Sequence, residues 1–274
     1  MRNKGSLKMF KDPPKKNLGQ HFLTDQDIIN KIVLAVKPAA GDFLVEIGPG
    51  QGAITFPLLK KQGSLTVIEF DRDLITPLME SAEGMGDLTI IHKDVLKVDF
   101  TKLAADRPAI RLVGNLPYNI STPILFHVLE HAPVVRDMHF MLQKEVIDRM
   151  AAEPGSKVYG RLTVMLQARC EVTPLFMVPP HAFRPPPKVD SAVVRLVPLA
   201  ADKIRIADAT LFENLVRDAF GQRRKTIRNA MQALATSDDI ESVGLRPDAR
   251  AEQLPVRDFI KLANFLASKS PATT

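Results

Sequence analysis

The chain has 274 residues, enough for one large α/β domain, a smaller appendage and a sizeable core. Hydrophobic content of 45%, charged content of 25% and a single cysteine, Cys170, describe an ordinary globular protein and exclude an intramolecular disulfide framework. No apolar run approaches the length of a membrane span and the N-terminus lacks an apolar secretory core, so a cytoplasmic protein with no membrane partner is expected. The net charge of +6 is concentrated, with Arg2, Lys4, Lys8, Lys11, Lys15 and Lys16 set against Asp12 alone in residues 1–16. A flexible basic arm on a nearly neutral body suits attraction to a phosphate backbone, although the same composition also serves as a solubilising tail.

In chain order, Thr24 and Asp27 have the spacing of a capping box, opening a helix towards Val36 with Ile28, Ile29, Ile32 and Val33 on one face. Strand and helix signals then alternate. Strands are expected at Phe43–Ile47, Leu65–Glu69, Thr89–His92, Ile110–Gly114 and Met138–Leu142, and helices near Ala53–Lys61, Asp71–Ser81 and Pro123–His131. This alternation predicts a mostly parallel, doubly wound α/β sheet, whose ligands lie beyond the carboxyl ends of the strands. From Lys157 to Pro198 the pattern continues with a helix, Gly160–Ala168, and two strands, Glu171–Val178 and Ser191–Leu196, around a proline-dense loop. Composition turns polar and alanine-rich near Leu199–Asp208. Periodic apolar positions in Leu211–Phe220, Ile227–Leu234 and Phe259–Leu266 then predict a small all-helical C-terminal domain. The expected organisation is a basic arm over residues 1–16, an α/β domain over 17–200 and a helical domain over 201–274.

Four segments carry chemistry. The first is Glu46-Ile47-Gly48-Pro49-Gly50-Gln51-Gly52-Ala53, a glycine-rich turn between a strand and a helix. Gly48, Gly50 and Ala53 satisfy the dinucleotide fingerprint, and Glu69 stands where a ribose-binding acid belongs. Pro49 removes an N–H donor that a pyrophosphate would use, while Gly52 and the preceding Glu46 match the first motif of S-adenosylmethionine methyltransferases. That donor is cationic and has no phosphates, so acids around it are sensible. Asp94, after the third strand, can accept from an adenine amine or cap the turn that follows.

The second segment is Gly114-Asn115-Leu116-Pro117-Tyr118, delivered by a strand to its C-terminal edge. Asn115 offers a side-chain carbonyl and Leu116 a main-chain one; Pro117 stiffens the turn and Tyr118 offers a ring for stacking on a base. It is similar to the Asn-Pro-Pro-Tyr motif of enzymes that methylate exocyclic amines. The third, Phe183-Arg184-Pro185-Pro186-Pro187-Lys188, places an aromatic before a stiff proline run, where it would complete a sandwich on a flipped-out base with Tyr118; the other use of such a Phe is in the core. The fourth, Gln222 to Arg228, sets Arg223, Arg224, Lys225 and Arg228 at the start of a predicted helix, where cations are disfavoured by the helix dipole and a phosphate partner would explain them. His127-Val128-Leu129-Glu130-His131 has zinc-site spacing but no cooperating ligand cluster, so no metal is expected.

Taken together these segments resemble the small-subunit ribosomal RNA adenine N6,N6-dimethyltransferase family, the kasugamycin-sensitivity methyltransferases. The resemblance spans nearly the whole chain, from Asn17 to Leu23 through to Gln222 to Asn229. Asn115 to Thr122 and Pro185 to Ser191 are its most specific stretches. It implies a Rossmann-like class I methyltransferase fold followed by a small helical domain, with S-adenosylmethionine as methyl donor. It implies His21, Leu23, Gly48, Glu69, Asp94 and Asn115 around that donor, with Asn115, Leu116, Tyr118 and Phe183 at the acceptor amine. His21 departs from the asparagine that relatives often carry. The implied substrate is two adjacent adenosines in the 3′-terminal hairpin of small-subunit (16S) ribosomal RNA, met in a 30S precursor by a monomeric enzyme with a role in ribosome biogenesis. Relatives include macrolide-resistance methylases of large-subunit RNA and mitochondrial transcription factors that keep the fold; the first gives an alternative enzyme reading, the second a non-catalytic one.

Overall fold

A computed structural model describes residues 20–200, 202–203, 206–222 and 224–269. The basic arm over residues 1–16, the Asn17-Leu18-Gly19 segment and Arg223 lie outside the described residues.

The chain divides into two compact units. One combines the described part of Met1–Lys144 with Thr173–Pro198; the other combines Glu145–Val172 with the described part of Leu199–Thr274. The chain thus passes between the units after Lys144, Val172 and Pro198, and Glu145–Val172 groups with the C-terminal helices.

The first unit opens with strand β1 (Phe22–Leu23) and helix α1 (Gln26–Val36), followed by β2 (Phe43–Ile47), α2 (Thr55–Gln62), β3 (Ser64–Glu69) and α3 (Arg72–Ala82). Then come β4 (Asp87–His92), α4 (Phe100–Ala104), β5 (Ile110–Asn115), α5 (Ser121–Glu130) and β6 (Val135–Gln143). Helices α6 (Lys144–Met150) and α7 (Arg161–Gln167) precede β7 (Cys170–Val178), β8 (Phe183–Arg184) and β9 (Ser191–Pro198). The seven-stranded sheet runs β4-β3-β2-β5-β6-β9-β7. Strands β4 to β6 in that order pair parallel, and β9 joins β6 antiparallel. The strand order reverses between β2 and β5, which puts the topological switch point at their carboxyl ends.

The sequence explains why these segments are strands. In β5 the run from Ile110 to Val113 is wholly buried, as expected of a central strand covered on both faces. Its one charged member, Arg111, is held by Asp42 at 2.6 Å, by Asp137 at 3.1 Å and by the Val36 carbonyl at 2.7 Å, so no buried charge is left alone. Helix α1 buries Ile28, Ile29, Ile32, Val33 and Val36 in one core cluster with Met141, Phe183 and Val193. Each such aliphatic side chain contributes about 1.5–3 kcal/mol. The start of α1 differs from the Thr24 capping box. Thr24 directs its hydroxyl to the Ala182 carbonyl, and Asp25 caps the helix by accepting from the N–H groups of Asp27 and Ile28 at 3.0 and 3.1 Å.

The second unit is helical: α8 (Ala209–Gly221), α9 (Ile227–Ala230), α10 (Ser237–Ser242) and α11 (Val256–Lys269) join α6 and α7. Phe212, Leu215 and Val216 of α8 and Phe259, Leu262 and Leu266 of α11 are buried. Buried Tyr159, whose hydroxyl donates to the Leu254 carbonyl at 2.7 Å and whose ring lies 6.0 Å from that of Phe220, ties Glu145–Val172 into this unit. The helix expected over Ile227–Leu234 ends at Ala230, and α10 is a helix that apolar periodicity does not predict. Among the described residues no helix is long and apolar enough to cross a membrane.

Candidate active site

At the carboxyl ends of β2, β3 and β5 lies a cavity of about 320 Å3. It is lined by Gln20 to Leu23, the glycine turn with Glu46, Glu69 and Phe70, Lys93 to Leu96, and Asn115 to Ile120. The glycine turn, Glu69, Asp94 and Asn115, each expected at a strand end, thus meet in one crevice, and His21, Leu23, Leu116 and Tyr118 line it with them.

The floor is a tight backbone. Gly50 has φ +56°, and a Cβ there would also press to 3.2 Å from the Phe22 ring, so only glycine leaves this wall open. Gly114 has a different reason to be glycine: a Cβ on it would lie 2.4 Å from the Ile47 carbonyl of the neighbouring strand. The sequence carried a signal for this, since a glycine inside a strand pattern marks close backbone approach.

Three carboxyl groups, those of Glu46, Glu69 and Asp94, line the cavity. Glu46 is 1% exposed, and burial pushes it up to about 8 against the Thr55 hydroxyl, which donates to it at 2.6 Å; the nearby charge of Glu69 adds to the rise. Burial also raises Glu69, opposed by the main-chain N–H groups of Asp71 at 2.7 Å and Gly50 at 3.4 Å. The arrangement favours a ligand that brings positive charge or hydroxyl donors. Asp94 uses Oδ1 to cap the turn after it, accepting from Leu96 N–H at 3.0 Å, while still lining the cavity. The capping reading of Asp94 is thus the one seen in the structure, and a carboxylate has a second oxygen besides the one so used.

Asn115, also in the lining, donates Nδ2–H to the His21 carbonyl at 3.0 Å. The donor end of the amide is thereby used, leaving Oδ1 as the acceptor end. Leu116 spends its N–H on the Met141 carbonyl at 3.1 Å and buries its side chain. The Tyr118 hydroxyl is paired with the buried Ser191 hydroxyl at 2.6 Å, and burial raises its pKa against that bond. Ser191 carries no chemical signal of a site residue in the sequence beyond closing the Pro185 to Ser191 stretch of the resemblance. Nor does Phe70, whose ring is 61% exposed on the cavity rim beside Glu69.

Phe183 requires a correction. It sits in β8, paired with Leu23 of β1, and strand alternation turns its ring inward while Arg184 faces out. At 1% exposure it belongs to the core cluster and is absent from the cavity lining. The structure therefore does not bring it opposite Tyr118. Phe183→Ala is expected to cost about 3–5 kcal/mol in folding stability, measurable by denaturant titration; a loss below 1 kcal/mol would contradict the core placement.

The basic segment behaves differently. Arg224, Lys225 and Arg228 are all exposed, Arg224 and Lys225 in the turn before α9 and Arg228 within that four-residue helix. The histidines with zinc-site spacing make separate protein contacts: His127 Nε2 lies 2.8 Å from the Val98 carbonyl and His131 Nδ1 lies 2.8 Å from the Thr101 hydroxyl.

A doubly wound sheet with a glycine turn after β2, an acid at the end of β3 and Asn-Leu-Pro-Tyr at the end of β5 defines a class I methyltransferase architecture. The family model of ribosomal RNA adenine dimethylases matches residues 12–268, and the chain belongs to that family. It is 68% identical over 255 residues to ribosomal RNA small subunit methyltransferase A of Xanthomonas campestris pv. campestris, covering 93% of this chain and 97% of that one. To the same-named protein of Xanthomonas oryzae pv. oryzae it is 69% identical over 255 residues, with the same coverage. Among solved structures it is similar to a dimethyladenosine transferase from Plasmodium falciparum, with TM-score 0.79, 28% identity and coverage of 90% and 98%. It is also similar to the 23S rRNA methyltransferase ErmE, with TM-score 0.70, 25% identity and coverage of 90% and 99%.

Proposed function

We propose that this protein dimethylates N6 of two adjacent adenosines in the 3′-terminal hairpin of small-subunit ribosomal RNA, using S-adenosylmethionine. It acts as a cytoplasmic monomer on a small-subunit precursor. The observation that carries the reading is the Asn115 amide, whose donor end is tied to the His21 carbonyl so that its acceptor end remains for an amine, in the same cavity as the glycine turn and Glu69.

The cavity fits the donor. The open wall at Gly50, where a side chain would press on Phe22, gives room for a ligand along the turn, and Glu69 complements a cation or hydroxyl donors. Glu69 would hold the ribose hydroxyls, Asp94 the adenine amine and the exposed Phe70 ring an adenine face, with His21, Leu23 and Gly48 completing the lining. When bound, S-adenosylmethionine supplies the methyl group as an electrophile on sulfonium.

The residues of the chain address the weak nucleophile. An adenine N6 lone pair is delocalised into the ring. Asn115 Oδ1 and the Leu116 carbonyl accept its two N–H bonds, draw the nitrogen out of planarity and stabilise the positive charge that develops on it. Tyr118 offers its ring to the base, with its hydroxyl held by Ser191. The proton leaves to solvent, since the motif holds no strong base, and the pocket must readmit the monomethylated amine for the second transfer.

We assign donor and base to the 17–200 segment and RNA grip to the 201–274 segment. Neutralising Arg223, Arg224 and Lys225 together should weaken subunit binding and flatten its salt dependence by about one slope unit for each phosphate no longer neutralised, with donor affinity unchanged. An unaltered slope would make the cluster a solvated face. The substrate assignment is tested by offering labelled donor with unmethylated small and large subunits in separate reactions. Label in the small subunit supports it; label only in the large subunit would favour a resistance-type methylase, and none in either a binding protein.

A further inference from the structure

His21, immediately before β1, makes three contacts that converge on the acceptor side of the cavity. Its main-chain carbonyl accepts from Asn115 Nδ2 at 3.0 Å. Its ring Nδ1 lies 2.8 Å from the Pro185 carbonyl, and because a carbonyl only accepts, Nδ1 is the nitrogen that carries the proton. The imidazole is also stacked on the Tyr118 ring, with centroids 5.7 Å apart and planes 23° from parallel.

These contacts follow from the fold. Pairing of β1 with β8 sets Phe22 against Arg184, which brings the residue before one strand next to the residue after the other. The tether to Pro185 fixes the imidazole, and the fixed imidazole covers one face of Tyr118 while Ser191 holds its hydroxyl at 2.6 Å. Tyr118 is thus held at one face and at its tip. Phe183 is buried in the core, and the ring that the structure places against Tyr118 is the imidazole of His21.

We propose that His21 is a positioning residue for the acceptor base, its imidazole fixing the orientation of the Tyr118 ring on which the adenine stacks. This rests on the proposed transfer to an adenine amine. It assigns a role to the side chain, distinct from the main-chain carbonyl that any residue at this position would supply.

Three variants separate the parts. His21→Phe keeps a ring but loses the donor to Pro185, His21→Asn keeps a donor but loses the ring, and His21→Ala loses both. All three retain the carbonyl that engages Asn115, and because His21 also lines the donor cavity, calorimetry with S-adenosylhomocysteine on each variant sets the donor concentration at which rates are compared. The single-turnover methylation rate at saturating donor and small subunits should fall about 2–10-fold in His21→Ala and His21→Asn, the size of an aromatic pair contribution, and recover in His21→Phe. A spectroscopic readout stands apart from turnover. The chain has no tryptophan and two tyrosines, Tyr118 and Tyr159, and Tyr159 is buried with its hydroxyl on the Leu254 carbonyl. Tyrosine emission should therefore change when the imidazole is removed from Tyr118. A parental rate and parental emission in His21→Ala, while the parent methylates small subunits, would overturn the inference. So would full activity in His21→Asn with a slow His21→Phe, which would assign the effect to the tether alone. If the parent itself transfers no methyl group, the proposed function fails and this inference fails with it.

Discussion

Replacing Asn115 with alanine is expected to lower the single-turnover rate of methyl transfer by about 10²–10³-fold, the loss seen when one preorganised polar group aimed at developing charge is deleted. The alanine removes Oδ1 from the amine and also releases the His21 carbonyl from its 3.0 Å bond to Nδ2. Asn115→Asp separates the two, because aspartate keeps acceptors but cannot donate to His21. If the orientation of the amide matters as argued, Asn115→Asp is also slow, since nothing then holds the side chain towards the amine. Rates measured at saturating donor exclude a simple binding defect. A tenfold loss or less in Asn115→Ala would place the transfer chemistry elsewhere in the crevice.

Glu69→Ala is the second large effect. Its carboxylate is 7% exposed, and its oxygens already accept from Asp71 and Gly50 N–H groups at 2.7 and 3.4 Å. Charge-assisted hydrogen bonds from ribose hydroxyls contribute about 1.5–3 kcal/mol, so affinity for S-adenosylhomocysteine should fall roughly 10–100-fold. Glu69→Gln retains the shape and one acceptor and should lose less. Calorimetry reads both, and subunit binding should not change. An unaltered dissociation constant in Glu69→Ala would remove the ribose assignment.

How far the sequence carries the structure is seen residue by residue. The bounds of β2 were legible because a short, mostly buried apolar strand of Phe43 to Ile47 is closed off by a glycine turn. The meeting of Glu69, Asp94 and Asn115 was legible because alternating strands and helices force a parallel sheet, and a parallel sheet gathers its strand ends on one edge. Phe183 was misplaced because its two-residue strand is too short to display an alternation, and its inward face is set by pairing with Leu23, which is 160 positions away in the chain. The Thr24 cap failed for a related reason: Ala182, distant in sequence, takes the hydroxyl. Helix α10 has only Ile240 as a buried apolar residue in six, so periodicity could not announce it; its Thr236 and Asp239 capping box was the local signal. The grouping of Glu145–Val172 with the C-terminal helices rests on tertiary contacts such as Tyr159 with Leu254, which leave no mark in local pattern.

The measurement that bears most directly on the central claim is mass spectrometry of nucleosides from small-subunit RNA. Unmethylated small subunits would be incubated with the protein and S-adenosylmethionine, and the 3′-terminal fragment digested at successive times. The account predicts N6-methyladenosine as a transient, followed by N6,N6-dimethyladenosine at two adjacent positions of the terminal hairpin, with neither formed by Asn115→Ala on the same timescale. Small-subunit RNA that remains unmodified, or that carries methyl groups on ribose or on ring positions other than N6, would contradict it.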